Sequence, residues 1–193
     1  MKLSFSTRGW ADHSWDELVS TALEMDFSGI EIHNPIINTV FTGKGGPLER
    51  YNTQATARAL RDKGLCIPAL DSSVDISAGE EQIQAAKDLI DLAAAAGVER
   101  VVVVAQNDDE DAIHAALAEL VPYAEASDVV LLIESSGIFS STTRMAGIMD
   151  RYASDYLGTL WDVHNVYRTG GETPAQTVKN LGAYIKHVHM RDS

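Results

Sequence analysis

Three polar side chains interrupt strongly apolar runs at matching places along the chain: Glu134 after Leu131-Leu132-Ile133, Asp162 after Leu160-Trp161, and His189 after His187-Val188. Their separations are 28 and 27 residues. Two carboxylates and an imidazole aimed at one point would bury charge, which is costly unless compensated, and a divalent cation supplies the compensation. Carboxylate plus imidazole ligation suits Mn²⁺, Mg²⁺, Co²⁺ or Zn²⁺ without choosing among them. Taken singly, each residue reads as a hydrogen-bonded polar group closing a strand. Their recurrence at one height points to a site.

Such residues need elements that hold them level. Seven strand-like runs are legible, at Leu3–Thr7, Gly29–His33, Cys66–Ser72, Arg100–Ala105, Val129–Ser135, Leu157–Val163 and Ile185–Arg191. Several, such as Val101-Val102-Val103-Val104, are continuously apolar, as strands of parallel sheets covered on both faces are. From one start to the next the steps are 26, 37, 34, 29, 28 and 28 residues, a spacing that predicts repeated βα units. Alternation places Leu132 with Glu134, Leu160 with Asp162, and His187 with His189, each pair on one face of its strand.

Helix signals fill the intervals. Ser14-Trp15-Asp16-Glu17 and Ser77-Ala78-Gly79-Glu80 have the capping-box pattern, and Thr173-Pro174 pairs a cap residue with a first-turn proline. Gly64 and Gly97 stand where helix C-termini favour a left-handed residue. Asn34–Gly46, Gln106–Asp109, Ser136–Ser141 and Asn165–Gly171 read as loops. Nothing divides the chain, so one domain over residues 1–193 is expected.

Two α/β architectures fit: an open doubly wound sheet or a (β/α)8 TIM barrel. The turn after the first strand, Arg8-Gly9-Trp10-Ala11-Asp12, lacks the glycine-rich dinucleotide fingerprint. A barrel of about 250 residues with its last βα unit absent is the expectation, and chemistry then gathers at the C-terminal strand ends.

Other residues at that end are weaker candidates. Glu31 and His33 share a face of the second strand and could contact substrate. Trp10 could wall a pocket, though packing under a loop is its commoner role. Arg191 could bind an anionic group or pair with Asp192. His187, one layer below His189, reads as a packed core histidine, and Cys66 as core.

Composition narrows the partners. The chain has 193 residues, 15 Lys+Arg, 28 Asp+Glu and a formal charge of -13, which argues against a nucleic-acid backbone as partner. The lone Cys66 cannot form an internal disulfide. Met1-Lys2-Leu3-Ser4-Phe5-Ser6 turns polar too early for a signal sequence, and no apolar run approaches the roughly 18 residues of a membrane span. A soluble cytoplasmic protein without membrane partners is the expectation.

At these residues the chain resembles the xylose isomerase-like TIM-barrel superfamily, the sugar phosphate isomerases and epimerases that also include inosose dehydratases and class II AP endonucleases. The resemblance rests on Gly29-Ile30-Glu31-Ile32, Leu132-Ile133-Glu134, Leu160-Trp161-Asp162-Val163-His164-Asn165 and His187-Val188-His189-Met190-Arg191-Asp192, in that order and spacing. It implies that Glu134, Asp162 and His189 match three of four family metal ligands. The fourth, a glutamate on the eighth strand, has no counterpart before Ser193. Family epimerases carry a histidine three residues after the metal-binding aspartate. Here that position is Asn165, with His164 one place earlier, so both are candidate substrate contacts.

The resemblance implies a divalent-metal-dependent isomerase or epimerase of sugars or polyols, with Mn²⁺ first and Mg²⁺, Co²⁺ or Zn²⁺ as alternatives. Glu134 would be both ligand and acid/base, taking a proton next to a polarised carbonyl. A keto-inositol dehydratase on the same site is the alternative enzyme. A phosphodiesterase on damaged DNA would need a basic groove, which the charge opposes. A different class is a non-catalytic barrel fragment binding a ligand or partner. A chain ending at Ser193 would leave strand edges open, inviting a strand-exchanged homo-oligomer and slow or absent epimerisation.

Overall fold

The computed structural model describes residues 2–10 and 12–191. All seven expected strands form: β1 (Ser4–Ser6), β2 (Gly29–His33), β3 (Leu70–Asp71), β4 (Arg100–Val103), β5 (Val130–Glu134), β6 (Leu157–Asp162) and β7 (Ile185–His189). They alternate with helices α1 (Trp15–Glu24), α2 (Thr39–Thr42), α3 (Thr53–Asp62), α4 (Glu80–Ala96), α5 (Glu110–Ala126), α6 (Thr142–Tyr152), α7 (Val163–Arg168) and α8 (Pro174–Leu181). Hydrogen-bonded neighbours follow chain order from β1 to β7, and the pairings are parallel. A doubly wound sheet would reverse its order at a switch point. Sequential order is that of the (β/α) barrel type.

The chain forms two compact units that interleave in sequence, Met1–Ser72 with Leu89–Val101, and Ser73–Asp88 with Val102–Ser193. In the first, β1 pairs β2, β2 pairs β3, and Leu70 of β3 pairs Val101. Its interior is apolar, with Leu18, Ala22, Ile30, Ile32, Leu70 and Leu89 fully buried. α1 starts as its sequence requires: the Ser14 hydroxyl accepts from the Glu17 N–H, while the Ser14 N–H donates to Glu17 Oε2 at 2.8 Å. The carboxyl of Glu17 is held below its usual range by those bonds to the Ser14 backbone and hydroxyl.

β3 is much shorter than the run Cys66–Ser72. Pro68 has no N–H to give the ladder, so pairing breaks after an isolated Gly29–Cys66 bridge and resumes at Leu70. Cys66 is half-buried, its thiol on the Ser28 carbonyl. Gly64 and Gly97 are left-handed, as expected.

In the second unit β5, β6 and β7 pair in order, and Leu131, Leu132, Ile133 and Leu160 are fully buried. Thr173 caps α8 by accepting from the Gln176 N–H, with Pro174 at the first position. Ser77, read as a cap, takes another role. Its hydroxyl donates to Asp75 Oδ1 and accepts from the Asn107 N–H, and α4 opens instead on the Gly79 carbonyl. Two loops contain helix: α2 lies within Asn34–Gly46, and α7 begins immediately after β6.

β7 departs from the two-sided burial of its neighbours. Lys186 and Val188 are exposed while Ile185, His187 and His189 are half-buried, so His187 is not a core residue. Among the described residues no helix is long and apolar enough to cross a membrane.

Candidate active site

The second unit carries the three residues singled out by spacing, and a β-bulge decides how they face. Thr159 pairs with Ile185, but Leu160 pairs with His187 and Asp162 with His189, so β7 advances two residues where β6 advances one. Without that extra residue His187 would stand opposite Trp161, whose side chain points to the other face from Leu160 and Asp162. The bulge therefore puts His189 beside Asp162. Gly158 makes room for it: a Cβ there would lie 2.8 Å from Cδ of Lys186 and 3.1 Å from Cδ2 of Leu132.

Glu134 and Asp162 end β5 and β6, exposed by only 5% and 2%. Asp162 begins the next element too. Its Oδ1 accepts from the Asn165 N–H at 2.7 Å, which makes it the N-cap of α7 and explains why helix starts where a loop was expected. The Asp162 N–H donates to the hydroxyl of buried Ser135 at 2.9 Å.

Asn165 links the two acids. Its side-chain amide donates to Glu134 Oε1 at 3.2 Å while its backbone serves Asp162. Arg191 completes the cluster, with Nε 3.2 Å from Asp162 Oδ2 and Nη2 donating to Asn165 Oδ1 at 2.8 Å. The expected alternative partner, Asp192, lies outside the described residues. His189 is half-buried, its ring 5.4 Å from that of His187 between centroids. His164, in the first turn of α7, has both ring nitrogens buried with no hydrogen-bond partner. Two carboxylates, the three amide hydrogen bonds of Asn165 and one guanidinium thus form a continuous polar chain of the kind that gains from low local dielectric.

The first unit holds the remaining candidates. Glu31 is 2% exposed in β2. His33 Nδ1 lies 2.7 Å from Oδ2 of Asp71, a residue only 1% exposed, and the Asn34 side-chain amide donates to His33 Nε2 at 3.0 Å. With Asn34 donating to Nε2, Nδ1 is the ring nitrogen left to donate a hydrogen bond to Asp71. The His33 N–H donates to the Thr7 hydroxyl at 2.9 Å. Trp10 packs its ring 5.4 Å from Phe5 and 4.9 Å from His13, the commoner role foreseen for it. Sequence reading missed Asp71, Ser135 and the Arg191–Asp162 pair. Asp71 sat in plain view as a carboxylate ending an apolar run, the same signal that marked Glu134.

The model of the xylose isomerase-like TIM barrel family matches residues 19–193. The chain belongs to that family. Solved structures agree on the fold. One is a probable 3-DHS dehydratase, AsbF, involved in petrobactin synthesis from Bacillus anthracis, similar at TM-score 0.81 and 18% identity over 98% of this chain and 73% of that one. Another is the 3-keto-D-glucoside 4-epimerase YcjR from E. coli, at 0.80 and 15% over 100% and 79%. A third is the IOLI protein with a binding zinc atom, at 0.80 and 18% over 100% and 73%. No curated protein matches the sequence.

Proposed function

We propose that the chain is a divalent-metal-dependent isomerase or epimerase of sugars or related polyols, with Glu134, Asp162 and His189 as its contribution to the metal site. The observation that carries this reading is the pair of buried carboxylates, Glu134 and Asp162, at the ends of adjacent strands and joined through Asn165. Burying carboxylates is costly, and a divalent cation offsets that cost. Hard carboxylate oxygens beside an imidazole are a donor set that fits Mn²⁺, Mg²⁺, Co²⁺ or Zn²⁺. The family, and structural neighbours named as an epimerase, a dehydratase and a zinc-binding protein, support the same reading.

A divalent ion held there would supply Lewis-acid polarisation of a substrate carbonyl, which makes the adjacent C–H acidic. Glu134 would take that proton from one face, its Oε1 held by the Asn165 amide; isomerisation delivers the proton to the neighbouring carbon, whereas epimerisation needs a second acid on the opposite face. Asp162 is held by the Asn165 N–H. The buried ring nitrogens of His164 are suited to substrate hydroxyls, which would satisfy them.

The test is incubation with ketoses, keto-glycosides and inositol ketones, with Mn²⁺ and with EDTA. A metal-dependent product of unchanged mass and altered configuration supports the epimerase. Loss of one water from the product moves the assignment to a dehydratase. No conversion by a protein that also binds no metal would leave a ligand-binding barrel.

A further inference from the structure

We propose that Arg191 is a resident counter-cation of the site, one that neutralises Asp162 in the metal-free protein and must leave that carboxylate when a divalent ion binds. This rests on the metal reading above.

The geometry limits what Asp162 can offer. Its Oδ1 is taken by the Asn165 N–H at 2.7 Å, a bond that also starts α7. Oδ2 makes no such backbone bond and is the oxygen more open to a ligand, and Arg191 Nε stands 3.2 Å from it. A cation and a guanidinium on that one oxygen compete, because like charges at such a distance repel.

The two partners differ in how freely they can move. The Asp162 side chain is 3% exposed and fixed at a strand end, whereas the Arg191 side chain is 46% exposed. Arg191 follows β7 and reaches the site from solvent, held there by Asp162 and by the Asn165 amide oxygen. An exposed arm can return to water at little cost, since most surface ion pairs are weak. The buried carboxylate cannot. The pair therefore has a fixed member and a departing one.

An opposite role is conceivable for an arginine on a metal-binding aspartate, namely orienting it as an outer partner. The two roles differ in sign. Removing an orienting partner weakens metal binding by about 10–100-fold. Removing a competitor strengthens it, because the ion no longer has to break a charge-assisted bond and meets an acid left without compensation.

The experiment is titration of the metal-free protein with Mn²⁺ by calorimetry, for the wild type and for Arg191→Gln, Arg191→Lys and Asp162→Asn, with thermal unfolding of each metal-free form. Arg191→Gln should bind Mn²⁺ about threefold to fivefold more tightly, the gain expected from releasing one partly exposed ion pair. Arg191→Lys, which keeps the charge, should stay near the wild type. Metal-free Arg191→Gln should melt lower than the wild type, and that difference should vanish in an Asp162→Asn background. If Mn²⁺ binds the wild type and Asp162→Asn abolishes it, while Arg191→Gln binds equally or more weakly, the counter-cation role is wrong and the metal site stands. If no form binds Mn²⁺, both fall.

Discussion

Asp162 carries two loads that substitution can separate. It caps α7 through Oδ1, and in the proposed function it also supplies charge to a cation. Asp162→Asn keeps an acceptor for the Asn165 N–H, and Asn is as good an N-cap as Asp. What it loses is small. The helix-terminus charge effect is about 0.3–1 kcal/mol, the half-exposed Arg191 pair is worth about 0–1 kcal/mol, and removing a buried charge offsets part of both. Metal-free Asp162→Asn should therefore lie within about 1 kcal/mol of the wild type, a shift of about 2–4 °C for a chain this long. Asp162→Ala additionally loses the cap, at about 1 kcal/mol more. Both variants should lose the metal response. At a hundredfold excess over its dissociation constant Mn²⁺ adds about 2.7 kcal/mol to a protein that binds it only when folded. The assay is thermal unfolding with and without Mn²⁺, where the wild type should rise and neither variant should. Retention of the full Mn²⁺ shift by Asp162→Asn would refute the ligand role. Equal destabilisation by Asn and Ala would refute the division of labour.

Three further outcomes follow from the same contacts. Glu172→Ala should destabilise the protein by about 1–2 kcal/mol in urea, because Glu172 accepts from the Thr142 N–H and hydroxyl at the start of α6, where Ser141 provides no side-chain cap. Gly158→Ala should cost about 1–3 kcal/mol by overpacking, since the new methyl would meet Lys186 and Leu132 at the bulge; equilibrium unfolding measures it. Alkaline titration of tyrosine absorbance should show Tyr152, Tyr156 and Tyr184 ionising above the ordinary phenol range, raised by burial, by the bond to Asp128 and by the bond to Asp150 respectively. Their protonated forms are favoured by folding, so that contribution is complete below the ordinary phenol range and is lost as pH rises through the raised values.

The strands were legible because burial on both faces writes itself as an apolar run, and Val101-Val102-Val103 and Leu131-Leu132-Ile133 are fully buried as that pattern requires. Their order was legible too, because even βα spacing leaves few topologies. Features that depend on a single extra or missing hydrogen bond were not. Pro68 truncates β3 through one absent N–H, and Asp162 converts an expected loop into α7 through one added acceptor. The bulge that faces His189 to Asp162 has no signature in an alternating pattern, which fixes which residues share a face but not which face it is. Long-range pairs were equally silent. His33 meets Asp71 from 38 positions away, and nothing local to either announces it.

In the proposed function Glu134 is the base that takes a proton beside a metal-polarised carbonyl. Deuterium incorporation reads that step alone, because exchange needs one base where epimerisation needs two. Ketose or inositol-ketone substrates incubated in D₂O with the protein and Mn²⁺ should take up deuterium at the carbon next to the carbonyl, as read by NMR. Uptake should stop with EDTA and with Glu134→Gln. Exchange that persists in Glu134→Gln, or its absence from a wild type shown to bind Mn²⁺ and the substrate, would rule out Glu134 as the base.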